Sequence, residues 1–109
     1  MTTIVRDNPA ESRYEIHEDD RLVGFTEYKL GAGRIAFIHT EVDPTAGGRG
    51  LGRQLVREEL EDARRRGLAV LPFCPYVRKV IADDPDRYLD LVRTRDRDRF
   101  GLADGKVSD

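Results

Sequence analysis

The sequence predicts an α/β (α+β) fold in which a mostly antiparallel sheet contains one parallel βαβ crossover. Two observations carry this prediction. The strand patterns before residue 42 follow one another with only short turns between them, as antiparallel strands do. A strand pattern at residues 34–42, a helix pattern at 51–66 and a strand pattern at 68–73 then follow in that order. A strand–helix–strand connection within one sheet joins parallel strands.

Length and composition indicate one domain. The chain has 109 residues, of which 37% are charged, and its net charge is only -2. A general nucleic-acid binder would show an excess of basic residues. Cys74 is the one cysteine, so no internal disulfide can form and a reducing compartment is natural. The longest apolar run is too short to span a bilayer, and the first residues lack the form of a signal peptide. We therefore expect a cytoplasmic protein that binds neither nucleic acid nor membrane.

Three short strands are predicted in the first third of the chain. Residues 3–5 form a β-prone run, and residues 14–17 alternate apolar and polar side chains. A pair of aspartates, typical of a turn, separates the second run from a third strand at residues 22–30. Gly24 interrupts the alternation of that third strand and indicates a bulge.

The clearest strand pattern covers residues 34–42. Strict alternation divides its side chains between two faces. The first face carries Ile35, Phe37, His39 and Glu41, and the second carries Ala36, Ile38, Thr40 and Val42.

The helix pattern begins at Leu51 and keeps its apolar residues on one arc. Three arginines followed by Gly67 are a typical helix end. Glu59 falls inside the apolar arc, where partial exposure at the helix edge is the simplest expectation. Residues 68–73 have the length of a strand, and Pro75 suits the first position of a second helix.

A change of composition divides the chain after residue 92. Residues 1–92 are expected to form the folded domain. Residues 93–109 mix charges of both signs and contain few apolar residues. This composition predicts a mobile C-terminal tail.

A glycine-rich stretch with the sequence Gly-Gly-Arg-Gly-Leu-Gly occupies residues 47–52, between the clearest strand and the helix. Such a turn leaves backbone N–H groups and the positive end of the helix dipole open to an anion, most often a phosphate. A dinucleotide fingerprint would require glycine at the position of Arg53, and a P-loop would require Lys after Gly52. A glycine-rich surface turn without a ligand is the alternative.

Three blocks of sequence together resemble the GNAT superfamily of acetyl-CoA-dependent N-acetyltransferases. Gly50 and Gly52 match the last two fixed positions of its pyrophosphate loop, whereas Gly47 stands where Gln or Arg is usual. The likeness is closer to a small subfamily, the short domain of bacterial proteins and of the eukaryotic NATD-type protein, and it runs from about residue 14 to residue 92. The blocks are His39-Thr40-Glu41-Val42, Gly48-Arg49-Gly50-Leu51-Gly52 and Pro72-Phe73-Cys74-Pro75-Tyr76-Val77.

The resemblance implies that acetyl-CoA lies between two splayed strands. Backbone hydrogen bonds to its pantetheine arm and thioester would come from His39, Thr40, Glu41 and Val42. The pyrophosphate would be held by Gly47, Gly48, Arg49, Gly50, Leu51, Gly52 and Arg53. The sulfur would lie near Cys74, Pro75 and Tyr76. No metal is expected.

The sequence departs from the superfamily near its N-terminus. Full-length members place two helices between their first two strands, and these helices wall the acceptor site. Only residues 6–13 are available here, so the resemblance implies a fold that lacks both helices and has an open acceptor side. Either the acceptor is a large surface such as a protein, or a partner completes the wall, or no transfer is catalysed. The resemblance thus implies an N-acetyltransferase, with a non-catalytic acyl-CoA-binding or sensing module as the alternative.

Acetyl transfer to an amine requires a base for the ammonium proton. Glu41, at the strand end beside the loop, is the preferred candidate, and His39 is the second because its usual pKa is near neutral. The two side chains are expected to be about 7 Å apart by strand rise. Structural roles, with the histidine packed on Phe37 and the carboxylate capping a turn, are the alternative.

The leaving CoA thiolate requires a proton. Cys74 would stand just before a helix N-terminus, a setting that lowers the pKa of a thiol. It would either protonate the CoA thiolate or take the acetyl group as a thioester. Tyr76 is a second candidate for the proton donor. A small buried thiol and a packing aromatic ring are the corresponding structural roles.

Overall fold

The computed structural model of the chain describes residues 2–46 and 49–102. Its strands are β1 (Thr3–Asn8), β2 (Arg13–Glu18), β3 (Arg21–Gly31), β4 (Arg34–Val42) and β5 (Ala69–Pro72). Its α-helices are α1 (Leu51–Arg65), α2 (Pro75–Asp83), α3 (Pro85–Tyr88) and α4 (Thr94–Arg97). Short 3₁₀ turns cover Pro9–Glu11, Pro44–Ala46, Leu89–Leu91 and Asp98–Phe100.

The five strands form one sheet in the order β1-β2-β3-β4-β5. The first four strands are antiparallel neighbours, and β4 pairs with β5 in parallel. The predicted α/β fold, mostly antiparallel with one βαβ crossover, is confirmed. A single 3₁₀ turn, Pro9–Glu11, joins β1 to β2, so no pair of helices separates the first two strands, as the sequence predicts.

Helix α1 covers one face of the sheet. Directly opposed antiparallel residues point to the same face, and the pairs Tyr14–Thr26 and Tyr28–Phe37 place four buried side chains on the α1 side. The apolar arc of α1 packs on them and is itself buried at Leu51, Leu55, Val56, Leu60 and Ala63. Helices α2 and α3 pack beside α1, so these three helices share one side.

The other face of the sheet carries mainly polar and charged residues. Arg13 and Glu15 of β2 lie on this face, directly opposite Glu27 and Phe25 of β3. The Arg13 guanidinium lies 4.8 Å from the centre of the Phe25 ring and 2.8 Å from the Glu15 carboxylate. We call this surface the open face, because α1, α2 and α3 all lie on the opposite side of the sheet.

A bulge interrupts β4 at Ile38. Glu27 of β3 opposes His39, and the next β3 residue opposes Phe37, which leaves Ile38 as the extra residue. An extra residue in one strand shifts the alternation of every side chain beyond it.

The bulge corrects the predicted faces of β4. Ile35 and Phe37 are fully buried, whereas the side chains of His39 and Glu41 are 50% and 61% exposed. Thr40, rather than His39, continues the face of Phe37, because it lies opposite the buried Thr26. The prediction of one face shared by Ile35, Phe37, His39 and Glu41 was wrong, since strict alternation takes no account of a bulge.

A second irregularity lies beside Gly24, where the sequence predicts a bulge. Ile16 of β2 opposes Gly24 and the next β2 residue opposes Leu22, so Val23 is the extra residue. A side chain at position 24 would meet the carbonyl oxygen of Glu41 at 2.9 Å. Glycine is therefore required there by close backbone approach.

Residues 93–102 pack on the domain, which corrects the prediction of a mobile tail from residue 93. Phe100 and Leu102 are 5% and 6% exposed. The Phe100 ring lies edge-to-face against Phe73, with ring centres 5.0 Å apart. The Arg97 guanidinium donates a hydrogen bond to the carbonyl oxygen of Val92 at 2.9 Å. The apolar residues of this segment are few but buried; residues 103–109 lie outside the described part of the chain.

Within residues 2–46 and 49–102, no helix is both long enough and apolar enough to cross a membrane.

Candidate functional site

A cleft opens where β4 and β5 stop pairing. The two strands pair from Arg34 to Phe37 on the β4 side. The Cys74 N–H then donates a hydrogen bond to the carbonyl oxygen of Phe37 at 2.8 Å. Beyond this point β4 continues to Val42 with β3 as its strand partner. The other edge of β4 therefore borders the cleft.

The cleft has a volume of about 390 Å³ and lies between the end of β4 and the first turns of α1 and α2. Its lining is mostly apolar, with a hydroxyl at each side. The lining residues are Thr40, Val42, Ala46, Gly50, Leu51, Gly52 and Tyr76. All of these except Ala46 belong to the set that the sequence predicts to bind acetyl-CoA.

Two glycines shape the mouth and the floor of this cleft. Gly50 is the N-cap of α1 and has a φ of 76°, in the left-handed region that favours glycine. Gly52 is buried, and a side-chain carbon at its position would lie 3.1 Å from Val42 and 3.3 Å from the Tyr76 hydroxyl. A side chain at position 52 would therefore press on both neighbours and narrow the floor of the cleft. Gly47 and Gly48, which are also predicted to bind the pyrophosphate, lie outside the described residues.

The two arginines predicted to contact the pyrophosphate both engage carboxylates. Arg49 forms a forked ion pair with Glu18 of β2, at 2.6 and 2.8 Å. This contact lowers the pKa of Glu18 and raises that of Arg49. Arg53 pairs with Asp83 at 2.9 Å and so joins α1 to α2. An anion at the start of α1 would therefore interact chiefly with backbone N–H groups and with the helix dipole.

Cys74 lies beside the cleft, behind Thr40, which lines it. It is the N-cap residue of α2 and is 3% exposed. Its Sγ lies 3.3 Å from the Oγ1 atom of Thr40, and this hydroxyl lies 3.0 Å from that of Thr26. Thr40 and Tyr76 line the cleft, and Cys74 contacts Thr40 from the interior. Sequence reasoning missed the contact of Thr26 with Thr40, because a threonine in a strand gives no signal of its own.

Glu59 is fully buried on α1, and the expectation of partial exposure was wrong. Neither of its carboxyl oxygens has a hydrogen bond of ordinary geometry among the described residues. Burial raises its pKa well above the usual value near 4.5; the Thr26 hydroxyl opposes this rise and the Cys74 thiol adds to it. An acidic residue inside the apolar arc was the signal in the sequence, and the structure shows that it faces the protein interior.

His39 and Glu41 lie on the open face, across β4 from the cleft. Their side chains are joined by a hydrogen bond of 2.8 Å between Nε2 and Oε2. Both remain about half exposed, so an incoming molecule can reach them. The sequence predicts that these two side chains share a face, and they do, although the bulge turns that face away from the cleft and from Phe37.

The described residues contain no group of three or more His, Cys, Asp or Glu side chains arranged to hold a metal ion.

A comparison with protein-family models identifies the family, and a comparison with solved structures shows the fold. Residues 13–91 match the family model described as GCN5-related N-acetyl-transferase. The chain matches no curated protein at a significant level. Among solved structures, it is similar to a GCN5-like protein of Staphylococcus aureus studied by NMR, with a TM-score of 0.60 and 23% identity over 83% of this chain and 87% of that one. It is also similar to N-acetylglutamate synthase of Neisseria gonorrhoeae, solved with coenzyme A and N-acetyl-glutamate, with a TM-score of 0.50 and 18% identity over 64% of this chain and 19% of that one. At these identities the structural likeness is one of fold.

Proposed function

Because the chain belongs to the GCN5-related N-acetyl-transferase family, we propose that it binds acetyl-CoA in the cleft between β4 and β5 and transfers the acetyl group to an amine. The observation that carries this proposal is the cleft itself. The cleft has a volume of about 390 Å³ and lies between an unpaired strand edge and the N-terminus of a 15-residue helix whose N-cap is a glycine. A strand edge suits an amide-containing arm, and the helix start suits a pyrophosphate.

The two halves of the ligand would meet different parts of the cleft. The pyrophosphate would lie at Gly50 and the first N–H groups of α1, where the dipole favours negative charge. The pantetheine arm would run along the edge of β4 from Val42 towards Thr40. This direction leads the thioester to Cys74 and Tyr76. The same orientation agrees with the rule that ligands bind beyond the carboxyl ends of parallel strands.

The acceptor amine would approach from the open face. Glu41 is the proposed base, and its hydrogen bond to His39 offers a path for the proton it receives. Cys74 or Tyr76 would protonate the leaving CoA thiolate. Two routes are part of this proposal, direct transfer to the amine and a thioester intermediate on Cys74. A free thiol also fits a reducing compartment, and we propose that the protein is cytoplasmic.

A non-catalytic acyl-CoA-binding or sensing module is the second candidate. The observation that favours it is the single 3₁₀ turn between β1 and β2, since that turn builds no wall for an acceptor. Such a module would bind acetyl-CoA but would not release CoA faster when an amine is added.

The first experiment is a calorimetric titration with acetyl-CoA and, separately, with CoA. Gly50→Glu places a negative charge at the start of α1, and we expect it to weaken binding at least tenfold, about 1.4 kcal/mol. Gly50→Asn is the matched control, because asparagine tolerates a positive φ without adding charge. Saturable binding that the Asn variant keeps and the Glu variant loses would support the proposed pyrophosphate site. No binding by the unmodified protein at millimolar ligand would refute the proposal.

The second experiment separates the enzyme from the sensor. CoA release is followed with and without a primary amine. For an enzyme, Glu41→Gln should lower kcat by a factor of about 10² or more, the usual contribution of a general base. Cys74→Ala distinguishes the two routes, because a thioester predicts a mass gain of one acetyl group that this variant abolishes. Binding without amine-dependent CoA release would favour the sensor.

A further inference from the structure

Near Thr26 and Cys74 lies an ionisable group that the proposed reaction does not yet use. Glu59 is fully buried on the sheet-facing side of α1, among apolar neighbours such as Leu55 and Leu60. Both of its carboxyl oxygens are without a hydrogen bond of ordinary geometry among the described residues. A buried carboxylate without a partner is very unfavourable, so the group is expected to hold a proton. A leucine at this position would fill the same space without that cost.

A line of hydroxyl groups connects this carboxyl group to the cleft. Thr26, on β3, faces α1, and its hydroxyl lowers the pKa of the Glu59 carboxyl against the larger effect of burial. The Thr26 hydroxyl lies 3.0 Å from that of Thr40, which lies 3.3 Å from the Cys74 sulfur. Each hydroxyl can donate one hydrogen bond and accept another. The line therefore joins a buried acid on α1 to the thiol at the start of α2.

We propose that Glu59 holds a proton for Cys74 and exchanges it with the thiol through the hydroxyls of Thr26 and Thr40. Glu59 is a positioning residue, because it would act through Cys74 rather than touch acetyl-CoA. The destination of the proton rests on the proposed function. When the CoA thiolate leaves, the Cys74 S–H bond breaks and a CoA S–H bond forms. Cys74 then regains a proton from Thr40, Thr40 from Thr26, and Thr26 from the Glu59 carboxyl.

After one turnover Glu59 is a carboxylate and CoA is a neutral thiol, so charge and protons balance. The proton released by the amine goes to the base on the open face and then to water. Glu59 regains its proton from solvent once CoA has left the cleft. The buried carboxylate is unfavourable and exists only while CoA is bound, so Glu59 takes up a proton again when CoA leaves.

Few other titratable groups can take part. Among the described residues, the titratable group that acts on Glu59 is the thiol of Cys74. Tyr76 lines the cleft on the α2 side and is the other titratable group there. His39 and Glu41 lie on the open face, across β4 from this line. A change in the titration of Cys74 after substitution of Glu59 can therefore be assigned to the loss of the Glu59 carboxyl.

The experiment is an NMR titration of the free protein labelled with ¹³C at the cysteine Cβ. Cys74 is the one cysteine of the sequence, so one signal reports thiol ionisation without any reagent having to enter the cleft. Two coupled groups titrate in two steps. We expect a two-step curve for the unmodified protein, and a single step in Glu59→Gln whose midpoint moves by on the order of one pH unit. Glu58→Gln, an exposed neighbour on the same helix, should leave the curve unchanged. Superimposable curves for the unmodified protein and Glu59→Gln would overturn the proposal.

Variants of Thr26 keep the test decisive if Glu59→Gln does not fold. Thr26→Val removes the hydroxyl at nearly constant shape, and Thr26→Ser retains it. We expect the valine variant to change the separation of the two steps and the serine variant to restore it, because the Thr26 hydroxyl acts on the Glu59 carboxyl. An unchanged separation in Thr26→Val would rule out coupling through this hydroxyl. Because no acetyl-CoA is present, failure of the proposed function appears only in the binding experiment and stays distinguishable.

Discussion

At the scale of single residues, Glu59 shows what a buried acid does to stability. A carboxyl whose pKa is raised on folding binds its proton more tightly in the folded than in the unfolded chain. Its contribution to stability is then fully present below the unfolded pKa, near 4.5, and is lost as the pH rises through the folded pKa. The stabilising contribution of the protonated Glu59 carboxyl should therefore decrease as the pH rises.

We predict that Glu59→Gln becomes more stable relative to the unmodified protein as the pH rises from 4.5 towards 8. The difference in unfolding free energy should grow by about 1.4 kcal/mol per pH unit while Glu59 stays protonated. Urea unfolding of both proteins at several pH values measures it. Comparing the two proteins cancels the titration of groups such as Glu15 and Asp62, whose pKa values are lowered. Glu58→Gln is the control, and a flat difference for Glu59→Gln would contradict the prediction.

Glycine has different roles at positions 52 and 67: at 52 it leaves space for the cleft, and at 67 it allows a left-handed backbone conformation. Ala at position 52 would lie 3.1 Å from Val42 and 3.3 Å from the Tyr76 hydroxyl, whereas Ala at position 67 has open space but a φ of 68°. We predict that Gly52→Ala weakens acetyl-CoA binding more than tenfold, about 1.4 kcal/mol, with little loss of stability, because alanine favours the helix. Gly67→Ala should lose about 1 kcal/mol of stability with unchanged binding. Calorimetry and thermal unfolding of both variants test this, and equal effects of the two variants on binding would refute it.

At the scale of elements, the sequence predicted what depends on local pattern. The strand–helix–strand order around residues 51–66 determined the parallel pair, and Pro75 does begin α2. The bulge at Ile38 was missed because it depends on the pairing of β4 with β3 rather than on β4 alone. The folded segment after residue 92 was missed for a related reason. Its two main apolar anchors, Phe100 and Leu102, are scattered among charges and find their partners elsewhere in the chain.

We predict that Phe100→Ala lowers the unfolding free energy by about 3 kcal/mol, because it removes a buried ring that packs edge-to-face on Phe73. Arg95→Ala, an exposed position in α4, is the control and should change stability by less than about 0.5 kcal/mol. Urea unfolding provides the measurement. Equal stability of the two variants would show that residues 93–102 contribute nothing to the fold, as the composition had indicated.

At the scale of the whole molecule, the sheet divides the proposed reaction between its two sides. The cleft opens on the side of α1 and α2, whereas the half-exposed pair His39 and Glu41 lies on the open face. Strand β4 contributes side chains to both sides, because after the bulge Thr40 faces α1 whereas His39 and Glu41 face outward. An open acceptor side could be predicted from the short connection between the first two strands, residues 6–13. The position of the base relative to the cleft could not, since it follows from the bulge.

The open face also determines which amines should be good acceptors. A free amino acid finds no enclosing wall on this side, since a single 3₁₀ turn joins β1 to β2. A peptide brings its own surface and can lie along the exposed strands, so more of its binding energy is available to hold the amine in place. We predict that kcat/KM for a lysine or N-terminal amine within a peptide of about ten residues exceeds that for the same free amino acid at least tenfold, about 1.4 kcal/mol. Initial rates of CoA release with matched peptide and amino-acid acceptors measure this ratio. A ratio near one would show that the open face adds nothing to acceptor binding, and it would favour a small amine held by the cleft alone.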